Sequence, residues 1–222
     1  MAIAFLACVS AGSARAQLGG TLSLDSDYRY RGVSLSNDQP SARATVNYDG
    51  PERWYAGLSV TRATLAYLDT YVQLIGYAGW VAPPSEGMSV ELGVFGSHFA
   101  GLSGYDYAEA YAGLLGERWS ARASFSPNYY GRRVQTTYLE LAANTPLGRQ
   151  WRLFGHVGAL VPLGGAKGDA TTTRFDASFG AGWVTGRFDL HVAAVGATER
   201  GPYPASNSGR RSTVVAGVSV AF

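Results

Sequence analysis

The stretch "TLSLDSDYRYRGVSLS", Thr21 to Ser36, alternates between two kinds of side chain. The first set is mostly apolar or aromatic and comprises Leu22, Leu24, Ser26, Tyr28 and Tyr30. The second set carries two acids and two arginines, at Asp25, Asp27, Arg29 and Arg31. Successive side chains of a β-strand point to opposite faces, so this alternation predicts a strand with one apolar face and one charged face. Each face then needs an environment that suits it.

The same period of two continues along the whole chain. About twelve segments show it, each with the length of about 9–11 residues that a tilted strand needs to cross a bilayer. The connections between them alternate in length. The short ones are 49–53, 81–87, 116–118, 144–150 and 184–187, and the long ones are 32–39, 62–69, 100–105, 128–135, 162–172 and 198–210. This layout is typical of an outer-membrane barrel with short periplasmic turns and longer extracellular loops.

The tryptophans test this topology, because an indole prefers the headgroup layer of a membrane. All five stand beside a short turn and on the apolar face, and the final aromatic residue falls at the same rim. We therefore predict a membrane-interface role for Trp54, Trp80, Trp119, Trp151, Trp183 and Phe222.

These patterns together predict an all-β fold, a transmembrane up-and-down antiparallel β-barrel of about twelve strands. The apolar face would meet lipid and the charged face would line the closed interior, which leaves no unpaired backbone in hydrocarbon. A soluble sandwich would reverse the two faces. Its core would then hold indole rings at one end only, and its outer face would carry very few lysines, since Lys167 is the only lysine.

The N-terminal residues predict export. An apolar run from Ala2 to Ala11 precedes the small-x-small sequence Ala14-Arg15-Ala16, which is typical of a signal-peptide cleavage site. We predict a signal peptide over residues 1–16 and a barrel over residues 17–222. Cys8 lies in the signal segment, so the exported chain would have no thiol chemistry. The net charge of +2 gives no reason to expect a nucleic-acid partner.

The segment "SDYRYRGVSLSNDQP" resembles the TorF-type, or Gcw_chp-type, family of porin-like proteins, conserved in proteobacteria and of unknown function. The matching residues are Ser26, Asp27, Tyr28, Arg29, Arg31, Gly32, Ser34, Ser36, Pro40, Tyr55, Ala56, Gly57, Tyr107, Glu109, Tyr111 and Gly113. The segment Phe95 to Gly101 departs from the pattern of that family. The resemblance implies a barrel in the bacterial outer membrane and little about its cargo.

The charged residues on the predicted inner face are the main candidates for function. The predicted pore-lining residues are Asp25, Asp27, Arg29, Arg31, Arg43, Glu91, Glu109, Arg122, Glu140, Arg152, His156, Asp176, Asp189 and His191. Their field would act on small polar or charged solutes that diffuse passively through a porin-like channel. Alternatively, the charges bridge neighbouring strands and fill the lumen, and the barrel has a structural or adhesive role.

A third hypothesis is a membrane-embedded enzyme that modifies lipid. His156 and His191 are predicted to face inward on strands two apart, with Asp176 and Ser178 between them. We favour no catalysis, no metal and no cofactor, because no third ligand accompanies the two histidines.

Membrane components and the assembly machinery are the other predicted partners. Arg132, Arg133, Arg210 and Arg211 lie in predicted outside loops and could bind phosphates of lipopolysaccharide. The last strand ends in Phe222 on the apolar face, which is typical of a strand that the barrel-assembly machinery reads by strand addition.

Overall fold

The computed structural model describes residues 16–65, 69–165, 167–198 and 211–222. The expected signal peptide, apart from Ala16, lies outside these residues, as does Arg210. The described chain forms a closed barrel of twelve antiparallel strands and an additional two-stranded hairpin. The predicted all-β barrel is thereby confirmed. No helix among the described residues is long and apolar enough to cross a bilayer.

The barrel strands follow one another around the wall in chain order. They are β1 (Gln17–Asp25), β4 (Ser41–Asp49), β5 (Trp54–Thr64), β6 (Thr70–Val81), β7 (Ser89–Ala100), β8 (Tyr107–Leu115), β9 (Trp119–Ser126), β10 (Gln135–Leu147), β11 (Trp151–Gly164), β12 (Arg174–Thr185), β13 (Phe188–Ala197) and β14 (Ser212–Ala221). The hairpin consists of β2 (Arg29–Tyr30) and β3 (Val33–Ser34). Short 3₁₀ turns cover Pro51–Arg53, Ser103–Tyr105, Tyr129–Gly131 and Gly168–Thr171.

The first and last strands close the barrel. Leu22 pairs with Val220 in the β1–β14 register. Beyond that ladder, the backbones of Gly20 and Phe222 exchange two hydrogen bonds of 2.9 and 3.0 Å. The Phe222 ring covers Gly20 so closely that a Cβ there would lie 2.4 Å from the ring. Phe222 therefore stabilises the pairing of β1 with β14, which closes the barrel.

The two faces of the wall are chemically opposite. Large apolar side chains cover the outside, and Leu58, Val94 and Phe179 are 56%, 58% and 65% exposed. Polar side chains such as Gln73 and Ser126 are fully buried inside. A barrel in water has the reverse arrangement, since it buries its apolar side chains. The alternation read from the sequence thus appears in the structure with the predicted faces.

All five tryptophans lie at the rim formed by the short turns. Two pairs are direct cross-strand neighbours, Trp54 with Trp80 and Trp151 with Trp183. The Trp80 indole N–H donates to the Glu52 carbonyl in the adjacent turn at 3.1 Å. This geometry is the one that the topology predicted, while the contact with a membrane interface stays a prediction.

Loop lengths depart from strict alternation at two places. Strand β5 continues to Thr64, which leaves five residues, 65–69, before β6. The turn 82–88 at the opposite end is longer, with seven residues, and contains a small bridge between Ser85 and Met88. The wall strands simply extend further into the predicted loop 62–69 than the apolar pattern indicated.

The first strand is shorter than predicted, and this is the main correction to the sequence-based fold. Strand β1 ends at Asp25, and residues 26–40, here called the inner hairpin, fold into the barrel. Tyr28 is only 3% exposed, so it does not lie on the outer face with Leu22 and Leu24. Gly32 does make a turn, with a φ of 75°, but this turn lies inside the barrel, where a Cβ would meet Asp176 and Ala197 at 2.8 Å.

Candidate functional site: the barrel interior

The inner hairpin is held together by its own polar side chains. Asp27 accepts hydrogen bonds from the Ser34 and Ser36 hydroxyls at 2.6 and 2.9 Å and from Arg29 at 2.5 Å. Arg29 also donates to Asp38 at 2.9 Å. Asp27 and Arg29, both predicted to line the pore on a wall strand, therefore lie within the barrel on the hairpin and stabilise its fold.

Arg31 ties the inner hairpin to the barrel wall. Its guanidinium donates two hydrogen bonds, of 2.7 and 2.6 Å, to the Glu109 carboxylate of β8. It also lies over the rings of Tyr138 and Tyr30, 4.0 and 4.9 Å from the centroids. Burial lowers the pKa of Arg31, but the Glu109 carboxylate raises it more. The resulting pKa lies well above the ordinary value for arginine. The hairpin is thus anchored by a permanent cation in a two-point ion pair.

An apolar cluster fills the long-loop end of the barrel around the inner hairpin. We call it the loop-end cluster, and it consists of Tyr28, Leu35, Ala63, Leu65, Phe99, Tyr107, Tyr129, Tyr130, Tyr138 and Leu160. Tyr107 contacts Tyr129 and Tyr130 at centroid distances of 5.1 and 4.5 Å. Burial raises the pKa of Tyr129 and of Tyr130 above the ordinary value, so both phenols are neutral near pH 7. The hairpin and this cluster together narrow one end of the lumen.

Inward-facing glycines let polar side chains lie along the wall. Tyr55 and Tyr111 stand in one register row with Gly79 and Gly93 between them, and their hydroxyls meet at 2.6 Å. A Cβ at either glycine would come within 2.4 Å of a tyrosine side chain. The two rings therefore cross their neighbouring strands instead of projecting towards the barrel axis, and this leaves space in the lumen.

The same arrangement carries ion pairs across a strand. Arg122 of β9 donates to Glu91 of β7 at 2.8 and 3.2 Å over Gly113 of β8. Arg152 of β11 likewise reaches Asp189 of β13 at 2.9 and 3.0 Å. A Cβ on Gly182 of the intervening strand would lie 2.8 Å from the Arg152 side chain. These two pairs thus join strands two apart, whereas Arg43–Asp25 and His156–Asp176 join neighbouring strands, as the bridging hypothesis predicted.

This arrangement gives a prediction with a control on the same strand. Gly93→Ala should destabilise the barrel by about 1–3 kcal/mol, because the new methyl group overlaps the Tyr111 ring and the Ala78 carbonyl oxygen. Gly96→Ala, on the outer face of the same strand, meets no atom within 4 Å and should be neutral or slightly stabilising. Urea unfolding in detergent micelles measures both. Equal losses for the two variants would contradict the role of the inward glycines.

Both predicted inner histidines are paired with aspartates. His191 lies 3.1 Å from the Asp25 carboxylate. The same carboxylate forms an ion pair with the Arg43 guanidinium at 3.5 Å. His156 lies 2.6 Å from Asp176 and 2.9 Å from the Ser178 hydroxyl. His98 pairs with Asp106 at 2.6 Å and is 52% exposed, towards the long-loop rim as predicted. Among the described residues, no group of three or more histidines, cysteines or acids is placed to hold a metal ion.

The contacts of His156 form a Ser–His–Asp chain on the inner face of the barrel wall. Ser178 lies in β12, which is paired to β11 and β13 on both sides. The backbone N–H groups around Ser178 are therefore used in the sheet ladder. A serine hydrolase stabilises its oxyanion with free backbone N–H groups or with side-chain donors. The chain belongs to a polar network of the wall, to which the Tyr138 hydroxyl adds hydrogen bonds of 3.1 and 3.2 Å to Asp176.

A central cavity lies between the inner hairpin and the short-turn end. About 950 Å³ of space outside the protein atoms belongs to it, a volume that includes open solvent. Its charged lining consists of Arg31, Arg43, Arg122, Glu91, Glu109, Glu140 and His156. Glu140 is half-buried and makes no hydrogen bond or ion pair within the described residues, although it is electrostatically close to Arg122. The cavity therefore contains arginines that are paired with carboxylates and one carboxylate, that of Glu140, that can still accept a hydrogen bond.

Eleven of the fourteen predicted pore-lining residues lie on the inner face of the wall. They are Asp25, Arg43, Glu91, Glu109, Arg122, Glu140, Arg152, His156, Asp176, Asp189 and His191. The others are Asp27, Arg29 and Arg31 of the inner hairpin. The structure thus encloses all fourteen, while contact with a passing solute stays a prediction.

Sequence reasoning missed aromatic residues of the central cavity. Tyr30 was expected on the outer face, yet it lines the cavity and stacks on Phe95 with a centroid distance of 6.3 Å. Tyr55 also lines it, and the parity of β5 could have placed Tyr55 inside, opposite Trp54. No local signal could have placed Tyr30, because the alternation of β1 continues through it.

A sequence profile of the family described as "Bacterial protein of unknown function (Gcw_chp)" matches residues 10–209. The chain belongs to this family. The Gcw_chp match covers the inner hairpin and every barrel strand before β14. It confirms the predicted Gcw_chp-type resemblance, and the TorF-type name stays a prediction. No curated protein matches the chain in sequence.

Three solved structures similar to this Gcw_chp protein are porins of very different sequence. A structure described as "KdgM porin" has a TM-score of 0.62 at 10% identity, covering 92% of this chain and 99% of that one. A NanC porin structure gives 0.65 at 10% identity, with the same coverages of 92% and 99%. A "KdgM porin in complex with disordered oligogalacturonate" gives 0.55 at 8% identity, covering 92% and 98%. At these identities the similarity establishes a porin-like barrel fold.

Proposed function

We propose that this Gcw_chp protein is a porin-like channel of the bacterial outer membrane for passive diffusion of small polar or charged solutes. One observation carries the proposal: a closed barrel with an apolar exterior surrounds a polar, solvent-accessible cavity. An apolar exterior is stable against hydrocarbon, and a polar lumen suits a water-filled path. The porin-like fold and the rim of tryptophans support the same conclusion.

The proposal assigns no chemical reaction to the chain. The Ser178–His156–Asp176 network has hydrogen-bond partners on the wall, and it has no evident oxyanion donor in the paired strand β12. A passive channel needs only the polar lining that this network provides.

Planar-bilayer recording tests the channel directly. The folded protein should produce discrete conductance steps that are small for a twelve-stranded barrel, because the inner hairpin narrows one end of the lumen. Its folded state in detergent is checked independently by far-UV circular dichroism before insertion. Electrical silence of the folded protein over a wide voltage range would reject the channel.

The loop-end cluster favours one second candidate, a closed barrel with a structural or adhesive role. The rings of Tyr107, Tyr129 and Tyr130 pack tightly enough to act as a permanent seal. A permanent seal predicts silence both in bilayers and in liposome swelling with small sugars or amino acids. Conductance in the first measurement would exclude this candidate.

The orientation and partners belong to the same proposal. We place the short-turn rim with its tryptophans in the periplasm and the long loops outside. Arg132 and Arg133, which are exposed residues of the loop 127–134, then face lipopolysaccharide phosphates, although Arg132 also lies 5.4 Å over the Tyr105 ring. Strand β14, which ends beside Phe222, is the segment that the assembly machinery would recognise.

A further inference from the structure

One row of inward-facing residues crosses six of the twelve barrel strands and contains more carboxylates than arginines. Neighbours in this row stand directly opposite each other in the register of adjacent strands. In order from β7 to β12, the row consists of Glu91, Gly113, Arg122, Glu140, Gly158 and Asp176. We call it the acidic row, because it places three carboxylates and one guanidinium at one level of the wall.

Two carboxylates of the acidic row already have partners on the wall. Glu91 accepts two hydrogen bonds from Arg122, at 2.8 and 3.2 Å. Asp176 lies 2.6 Å from His156 and also accepts hydrogen bonds from the Tyr138 hydroxyl. Glu91 and Asp176 are each only 4% exposed. Neither carboxylate is therefore available to a solute.

Glu140 has no hydrogen-bond or ion-pair partner in the part of the chain that the structure describes. Its neighbour on one side is Arg122, whose guanidinium binds Glu91 instead. Its neighbour on the other side is Gly158, which offers no side chain. Arg122 is electrostatically close to Glu140, but one guanidinium offsets only one of the two carboxylates beside it. A net negative charge therefore remains where the half-buried Glu140 lines the central cavity.

The arginines on the other side of the cavity are paired with acids. Arg31 donates two hydrogen bonds to Glu109, and Arg43 lies 3.5 Å from Asp25. Opposite charges in contact largely cancel at a distance, so these pairs contribute less to the field in the cavity than a single charge does.

The cavity-lining histidine is also matched by an acid. The ring nitrogens of His156 contact Asp176 and Ser178, so a positive charge on this ring is offset by the Asp176 carboxylate. Glu140 is thus the unmatched charge among the residues that line the cavity.

We propose that Glu140 determines the charge selectivity of the lumen, so that the central cavity admits small cationic solutes in preference to anionic ones. The proposal rests on the proposed function for the passage of solutes and adds the sign of their charge. A carboxylate without a partner raises the local concentration of cations and lowers that of anions.

The reactivity of an introduced cysteine measures the field beside Glu140 without any need for conductance. The chain has one cysteine, Cys8, so a background with Cys8→Ser contains no other thiol. Ser120→Cys places a thiol on the inner face of β9, because Ser120 pairs with Ala142, two residues from Glu140 on β10. Such diagonal neighbours on one face of a sheet lie about 7–8 Å apart.

Two reagents of similar size and opposite charge then report the field in the folded protein in detergent micelles. The trimethylammonium-ethyl and sulfonatoethyl methanethiosulfonates both convert the thiol into a mixed disulfide. The rate of each reagent is divided by its rate with a small thiol in solution. An effect of Glu140 on the ionisation of the thiol cancels in the cation-to-anion rate ratio, because both reagents react with the same thiolate.

The normalised rates should favour the cationic reagent, and Glu140→Gln should lower the cation-to-anion ratio about fivefold. A unit charge at this distance changes the two rates in opposite directions through its Coulomb energy. Glu86→Gln, in the exposed turn 82–88 at the short-turn end, is the control and should leave the ratio unchanged. Preference for the anionic reagent, no reaction with either reagent, an unchanged ratio in Glu140→Gln or an equal decrease in both variants would overturn the proposal.

Bilayer recording separates this proposal from the channel itself. In a KCl gradient, the reversal potential should have the sign of a cation-selective pore and move towards zero in Glu140→Gln. Electrical silence together with the expected rate ratio would reject the channel alone, because the reagents can reach Glu140 from one end of the barrel. Conductance with a preference for chloride would overturn this proposal and leave the channel intact.

Discussion

Replacing residues 27–38 of the inner hairpin with a short glycine-serine linker should raise the single-channel conductance several-fold. These residues occupy the lumen at its long-loop end, and Tyr28 and Leu35 belong to the loop-end cluster. Their removal widens the narrowest part of the path, and ion flow follows the open cross-section. Planar-bilayer recording of purified protein measures the effect.

The linker variant needs one compensating change and one control. Without Arg31 the buried Glu109 carboxylate would lose its partner, so the variant also carries Glu109→Gln. The control replaces the exposed turn 167–171 at the same end of the barrel by a linker of matched length. An unchanged conductance in the folded hairpin variant, or an equal increase in the control, would show that the hairpin does not set the constriction.

The substitution Arg31→Ala should lower the free energy of unfolding by about 3–5 kcal/mol, the usual effect of leaving one buried charge without its partner. Arg31 and Glu109 are only 8% and 5% exposed, and the pair joins the hairpin to the wall through two short hydrogen bonds. The loss also removes the stacking of the guanidinium on Tyr138. Urea unfolding in lipid vesicles, followed by tryptophan fluorescence, measures the change.

Two further variants distinguish the loss of the Arg31–Glu109 ion pair from nonspecific destabilisation. The double variant Arg31→Met with Glu109→Leu replaces both charges by apolar groups of similar size and should recover most of the loss. Arg118→Ala removes an exposed contact of 3.7 Å to Glu117 and should change the stability by about 0–1 kcal/mol. If Arg31→Ala costs no more than Arg118→Ala, the ion pair does not anchor the hairpin.

The sequence by itself determined the wall of the barrel. Alternation with a period of two is a local property of each strand, so parity correctly placed Leu58 outside and Glu91 inside without knowledge of their neighbours. The tryptophans beside the short turns fixed which strand ends meet, because up-and-down threading leaves only one rim for them. The segment Ser26 to Pro40 indicated a resemblance to the Gcw_chp family, which the family profile over residues 10–209 confirms, although the fold of that segment was predicted wrongly.

Only the tertiary structure decided what occupies the lumen. The sequence of the inner hairpin alternates as a strand would, so the inward turn after Asp25 has no local signal. Its cause is long-range, since Arg31 finds its partner Glu109 78 positions away and Tyr28 finds Gln73 45 positions away. The Tyr55–Tyr111 contact over Gly79 and Gly93 is equally nonlocal, because it exists only once four strands are in register. The face on which a strand residue lies follows from local backbone geometry, because successive side chains alternate between the two faces. The pairing of buried charges and rings depends instead on distant segments that closure of the barrel brings together.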